Sequence, residues 1–215
     1  MRALIIDGYT DEPAGLGVPP YMDVYPRYIA GAIWDADPTA DIRYITIDQL
    51  RHDPKTVESI SASSELAVLV AGVTVPGKYL SGSPATARDA LTIPHLLKSR
   101  HTVICGPAAR FGFGRGGGTT TEIPRGLPSL YEFVISGDPE SVIHELINNG
   151  FNQRTDTDTV RQRSNDVNRY AAKGAPIVRQ HPCFPDGLIC EVETFRGCPR
   201  SLRGGCSFCT EPLHG

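Results

Sequence analysis

The first 150 residues predict an α/β fold: a flavodoxin-like (Rossmann-like), doubly wound parallel sheet of five strands, with helices on both faces and right-handed crossovers. Two observations carry this. Apolar runs of strand length alternate with stretches of helical period, and the third run, Leu66–Val73, is almost continuously apolar, as a strand covered on both faces must be. The strand order expected of such a chain is 2-1-3-4-5.

Arg2 to Asp7 is a short apolar run closed by Gly8, which reads as a buried first strand entering a long loop. Pro26 to Ala36 reads as a helix, with proline in its first turn, an apolar side of Tyr28, Ile29, Ile33 and Trp34, and Pro38 as its stop. Asp41 to Ile47 alternates as the second strand, and the polar stretch Asp53 to Ser64 reads as a helix. After the third strand, Ala85 to Lys98 forms a helix with a kink expected at Pro94. Thr102 to Cys105 and Tyr131 to Ile135 are the fourth and fifth strands. The last helix is the best marked: Asp138 at its cap, Pro139 at its first position, a stripe of Val142, Ile143, Leu146 and Ile147, and Gly150 past its end.

A ligand of this fold lies beyond the carboxyl ends of the strands, here against the loops Gly8–Tyr21, Gly72–Pro84 and Gly106–Pro128. Two motifs in these loops fail on context. Gly72 to Tyr79 nearly spells a phosphate-binding loop, but Tyr79 stands where a Ser or Thr must hold magnesium, and a turn sequence rather than a helix follows. Gly112 to Gly117 matches the dinucleotide fingerprint by letter, yet it runs into further glycine and threonine and reads as a mobile loop.

Length and composition set the outer bounds. The chain has 215 residues, 40% of them hydrophobic, enough for an ordinary core. Its net charge of −3 offers nucleic acid or an anionic membrane no electrostatic attraction. No run approaches the ~18 apolar residues of a spanning helix, and the start reads as a strand, so a cytoplasmic protein is expected.

From 151 to 184 the composition turns polar, and the segment reads as a linker, with the proline-rich Gly174–Pro185 as an extended lead-in. Residues 185–215 begin a second unit in which Leu188–Val192 is a short strand. Five of the six cysteines follow residue 180, a distribution unlike a disulfide framework and suited to metal. Cys198, Cys206 and Cys209 share one loop, so three thiolates leave one coordination position for a ligand that is not protein. Gly204 and Gly205 let the backbone turn tightly beside them, and Arg196, Arg200 and Arg203 either balance an anionic centre or form a solvated face. Cys105 and Cys190 read as buried strand thiols, and His181 as a connector residue without chemistry.

Glu193-Thr194-Phe195-Arg196-Gly197-Cys198 followed by Cys206-Ser207-Phe208-Cys209 resembles the cluster loop of the radical S-adenosylmethionine (radical SAM) enzymes. The family most often has three residues between its first two cysteines, whereas Pro199 to Gly205 makes seven here. The resemblance implies a 4Fe-4S cluster on Cys198, Cys206 and Cys209, with S-adenosylmethionine on the fourth iron and Phe208 near its adenine. It further implies reductive cleavage to a 5′-deoxyadenosyl radical, a low-potential electron donor such as a ferredoxin or flavodoxin, and a small-molecule or protein substrate that the sequence does not name. Residues 1–150 also resemble the cobalamin-binding-like domains of that family, through Val103-Ile104-Cys105-Gly106-Pro107 and Ser136-Gly137-Asp138-Pro139-Glu140. Tyr9 stands where such domains carry the histidine that ligates cobalt. Either cobalamin binds without that ligand, and methyl transfer follows, or the domain is a scaffold. A complete barrel needs on the order of 150 to 200 further residues, so the chain is expected to be the N-terminal part of an enzyme, inactive alone. The alternative is a non-catalytic flavodoxin-like binding module whose cysteine tail binds zinc, with Cys183 or His214 as fourth ligand.

Overall fold

The computed structural model describes residues 1–12, 20–72, 83–114, 121–159 and 164–193. The chain opens with strand β1, Arg2–Asp7, where burial fixes a two-sided pattern: Ala3 and Ile5 face one core, Leu4 and Ile6 the other. A two-residue strand β2, Tyr21–Met22, leads into helix α1, Val24–Ala36. This helix begins two residues before the proline that the sequence reading took as its start, because the Asp23 carboxylate accepts the Tyr25 amide at 3.2 Å and caps it. Strand β3, Asp41–Thr46, ends in a reciprocal cap: the Gln49 amide donates to Thr46 Oγ1, and the Thr46 amide donates to Gln49 Oε1. That pair starts a helix absent from the sequence reading, α2, Ile47–His52, which hands over at Asp53 to α3, Pro54–Ala62.

Strand β4, Leu66–Val70, is fully buried, as its continuous apolar run requires. Helix α4, Ala87–Thr92, gives way to a 3-10 turn over Ile93–His95 at Pro94, where the kink was expected. Beyond strand β5, His101–Cys105, the expected open loop carries structure of its own. Gly106 at φ +91° releases Pro107 into a short helix α5, Pro107–Phe111, and strands β6, Phe113–Gly114, and β7, Thr121–Glu122, pair antiparallel. Strand β8, Phe133–Val134, precedes helix α6, Pro139–Asn148; Asp138 holds the cap position, but its side chain makes no cap hydrogen bond.

Five strands form one parallel sheet in the order β3-β1-β4-β5-β8, the 2-1-3-4-5 order compatible with a flavodoxin-like fold. Helices α1 and α6 cover one face, and α2 to α5 the other.

The segment read as a linker is a correction. Residues Ser164–Gly174 form helix α7, continued by a 3-10 turn over Ala175–Gln180, and both lie against α1. The low apolar content misled because the stripe that packs on α1, Val167, Tyr170 and Ala171, is short, and the closest approach is made by glycines. Gly31 and Gly174 meet backbone to backbone: a Cβ on Gly31 would stand 1.9 Å from the Tyr170 carbonyl oxygen, and one on Gly174 1.7 Å from that of Arg27. Around this crossing Tyr170 packs on Val24, Tyr28 and Ala32. Asp35 of α1 meets Lys173 at 2.5 Å, Arg169 at 3.2 Å and His144 of α6 at 3.0 Å. Partial burial disfavours the Asp35 charge, but the Lys173 hydrogen bond and the facing cations prevail and hold its carboxyl below the usual range. The strand expected over Leu188–Val192 is the two-residue β9, Ile189–Cys190, and it pairs in parallel with β2.

Gly174→Ala is expected to destabilise the chain by about 1–3 kcal/mol, since backbone on both sides cannot yield to a methyl group. Urea unfolding measures it, and Asn168→Gln, on the exposed side of α7, should change stability by less than about 0.5 kcal/mol.

Candidate functional site

The carboxyl groups that burial raises most gather at the carboxyl end of β1, where this fold was expected to bind. Asp7, the last residue of β1, is 2% exposed; it accepts the Tyr44 hydroxyl at 2.7 Å and the Tyr9 amide at 2.9 Å. Burial nonetheless raises its carboxyl to about 6, because the two donors only partly replace water and Glu191 adds like charge. Asp23, the α1 cap, is pushed further, to about 7, by burial and then by the charges of Asp7 and Glu191. Glu191 directly follows β9, and burial raises it against the pull of Arg27. Three acids from three elements therefore share one poorly solvated region. The Tyr9 and Tyr21 rings meet beside it, tilted by 40° with centroids 4.3 Å apart.

Residues 180 to 191 wrap over this end of the sheet. The Gln180 side chain donates to the Ile42 carbonyl and accepts the Tyr44 amide, both at 2.8 Å, so it satisfies the outer edge of β3. His181 is buried, its ring 6.1 Å from that of Tyr44, with Nδ1 accepting the Cys183 amide at 3.1 Å. Burial holds this imidazole down to about 4, so it stays neutral. The Cys183 thiol donates to the Asp11 carbonyl at 3.3 Å, and burial followed by the Asp11 charge pushes its pKa up. Beyond the wrap opens a cleft of about 250 Å³, floored by Met22, Val178, Leu188 and Ile189 and walled by Phe184 and Pro185. Arg27 stands at its polar end, donating to the Glu191 carbonyl and, at 3.4 Å, to Cys190 Sγ.

The residues singled out from the sequence divide. Cys105 is buried in the core as expected. Cys190 is a correction: it is exposed, because β9 lies at the surface in a two-stranded ladder instead of inside a barrel. Cys198, Cys206, Cys209, Phe208, the three arginines and His214 lie outside the described residues. Among the described residues no group of three or more His, Cys, Asp or Glu could hold a metal ion, and no helix is long and apolar enough to cross a membrane. Tyr9, at the position of the cobalt-ligating histidine, is buried against Tyr21, so a histidine-ligated cobalamin does not fit this loop. The carboxylates Asp7 and Asp23 were missed. Their signals were an acid closing an apolar strand and an acid just ahead of a helical period.

The chain is 40% identical over 212 residues to an uncharacterized protein of Methanocaldococcus jannaschii, a match covering 98% of this chain and 38% of that protein. It is 41% identical over 214 residues to an uncharacterized protein of Archaeoglobus fulgidus, covering all of this chain and 35% of that protein. The chain thus spans little more than a third of the length of the curated relatives it matches. No family model matches it, and neither does any solved structure.

The raised carboxyls give stability a defined pH dependence. Between about pH 4 and 7 the folded chain keeps protons on Asp7 and Asp23 that the unfolded chain releases, so these two groups lower stability as pH rises, levelling off above 7. His181 acts the other way between about 4 and 6.5, since only the unfolded chain binds its proton. Two raised acids outweigh the one imidazole, so these groups make stability fall as pH rises from 5 to 6. Asp23→Asn should make that fall clearly shallower, as read by urea unfolding at each pH; an unchanged slope in the variant would refute the assignment.

Proposed function

We propose that this chain is the N-terminal portion of a radical S-adenosylmethionine iron-sulfur enzyme. The observation that carries the reading is the stretch from Glu193 to Cys209, in which Cys198, Cys206 and Cys209 follow the Glu-Thr-Phe-Arg-Gly-Cys run. Their donor chemistry fits the cluster: three thiolates satisfy three irons and leave the fourth for an exchangeable ligand. When bound, the cluster would supply the electron that cleaves S-adenosylmethionine to methionine and a 5′-deoxyadenosyl radical. Cys198, Cys206 and Cys209 would hold it, and Phe208 would pack near the adenine.

Two features of the domain support the reading. Its parallel sheet has the strand order of the cobalamin-binding-like domains that precede many radical enzymes. Strand β9 also ends eight residues before Cys198, as a strand feeding a cluster loop would. Tyr9 stands in place of the histidine ligand, so the α/β domain either binds cobalamin without that ligand or acts as scaffold. Activity belongs to a longer polypeptide that also provides the substrate pocket and meets a low-potential donor such as a ferredoxin or flavodoxin.

Anaerobic reconstitution with iron and sulfide tests this directly. Wild type should take up about four irons per chain with broad brown absorption. Cys206→Ala should lose both, and Cys183→Ser should keep them. One tightly bound zinc without iron uptake would sink the proposal in favour of a zinc-binding tail.

A further inference from the structure

Of the four large apolar side chains that the described residues leave exposed, three belong to one short segment: Phe184 at 42%, Ile189 at 40% and Val192 at 69%. Phe184 and Ile189 are also walls of the cleft of about 250 Å³, so the exposed side chains continue into an apolar depression. Exposed apolar area concentrated in this way marks an interaction surface. Strand β9 adds a second feature. It pairs with β2 along one side, and among the described residues no strand pairs with the other. An open edge of this kind accepts a further strand. The polar end of the cleft is also incomplete, since Glu191 Oε2 is buried and accepts no hydrogen bond among the described residues.

The size of the surface selects its occupant. Three side chains and a two-residue edge are far smaller than the roughly 1,200–2,000 Å² that separate chains bury in a stable complex. A neighbour joined by the same backbone needs no such area, because the tether supplies a high effective concentration. The longer relatives have such a neighbour. Their matched part is little more than a third of their length, and the Archaeoglobus fulgidus match takes in the whole of this chain.

We propose that the cleft, Phe184, Ile189, Val192 and the open edge of β9 form the docking surface for the further domain of the longer polypeptide, which adds a strand to β9 and a donor to Glu191. That this domain is the radical barrel rests on the function proposed above; the docking surface does not.

Hydrogen exchange read by mass spectrometry tests it on two polypeptides: the 215-residue chain, and the same residues joined to the part of the Archaeoglobus fulgidus relative beyond the match. Amides from 184 to 192 should exchange at least tenfold more slowly in the longer polypeptide, with those of β4 unchanged. The double variant Phe184→Asp, Val192→Asp should restore fast exchange there and leave β4 protected. The intact Archaeoglobus fulgidus protein, compared over the aligned stretch with its own matched segment, gives the same reading if the joined polypeptide does not fold. Equal exchange in both polypeptides overturns the proposal, and so does slowing in the 215-residue chain that grows with its concentration, which would assign the surface to a second copy. Iron content of the same samples separates the two ideas. Iron bound without slowing overturns the docking alone, and slowing without iron overturns the cluster and leaves the docking.

Discussion

The contact between Gly31 and Gly174 decides where the last fifth of the described chain goes. Two helices whose backbones touch, with each glycine against the other's carbonyl or amide, have one crossing geometry available, and any side chain at either position would force them apart. Once α7 is fixed on α1, the 3-10 turn from Ala175 has to start beside the outer strand β3. Gln180 then caps the β3 edge, His181 reaches Tyr44, and the chain turns back to place Ile189 against Pro20 and β9 against β2. The carboxyl end of the sheet is covered because two glycines permit it.

That cover has an electrostatic consequence. Asp35 and Asp7 are both acids at helix and sheet contacts, yet their environments act in opposite directions. Asp35 lies among Lys173, Arg169 and His144, and the cations outweigh its partial loss of solvent. Asp7 and Asp23 have only amide and hydroxyl donors and face one another and Glu191, so burial prevails and both carboxyls are raised. Removing water without supplying counter-charge favours the neutral acid. The fold therefore tolerates these acids by keeping them protonated over much of the range in which surface carboxyls ionise. Perturbed acids of this sort cluster at functional sites, and here they adjoin the strand that leads toward the cysteines.

Among the described residues few bonds tie β9 to the α/β domain. Strand β9 makes a two-residue ladder with β2, and the Ile189 amide donates to the Pro20 carbonyl at 2.9 Å. Arg27 holds the next residue by its carbonyl while its guanidinium stays within reach of Cys190. Because Arg27 belongs to α1, the same helix that receives α7 also holds the residue after β9.

Sequence alone determined the parallel sheet, its strand order, the two-faced core and the boundaries of β1 and α6, since hydrophobic period, proline and glycine act locally; β4 starts at Leu66 as expected but ends at Val70, short of the apolar run. It also singled out the three cysteines, whose meaning lies in residue type and spacing. The capping pair of Thr46 and Gln49 was legible in the letters and marks α2, although strand pattern alone passed over it. Helix α7 was passed over because Val167, Tyr170 and Ala171 form a stripe only one turn long in a polar stretch, and its closest approach to α1 is made by Gly31 and Gly174, which carry no hydrophobic signal. Nor could the letters show that Asp7, Asp23 and Glu191 converge, that Cys190 faces solvent, or that β9 pairs with β2. Those facts join residues up to 184 positions apart, as Asp7 and Glu191 are, and only the folded chain brings such residues within reach of one another's charge.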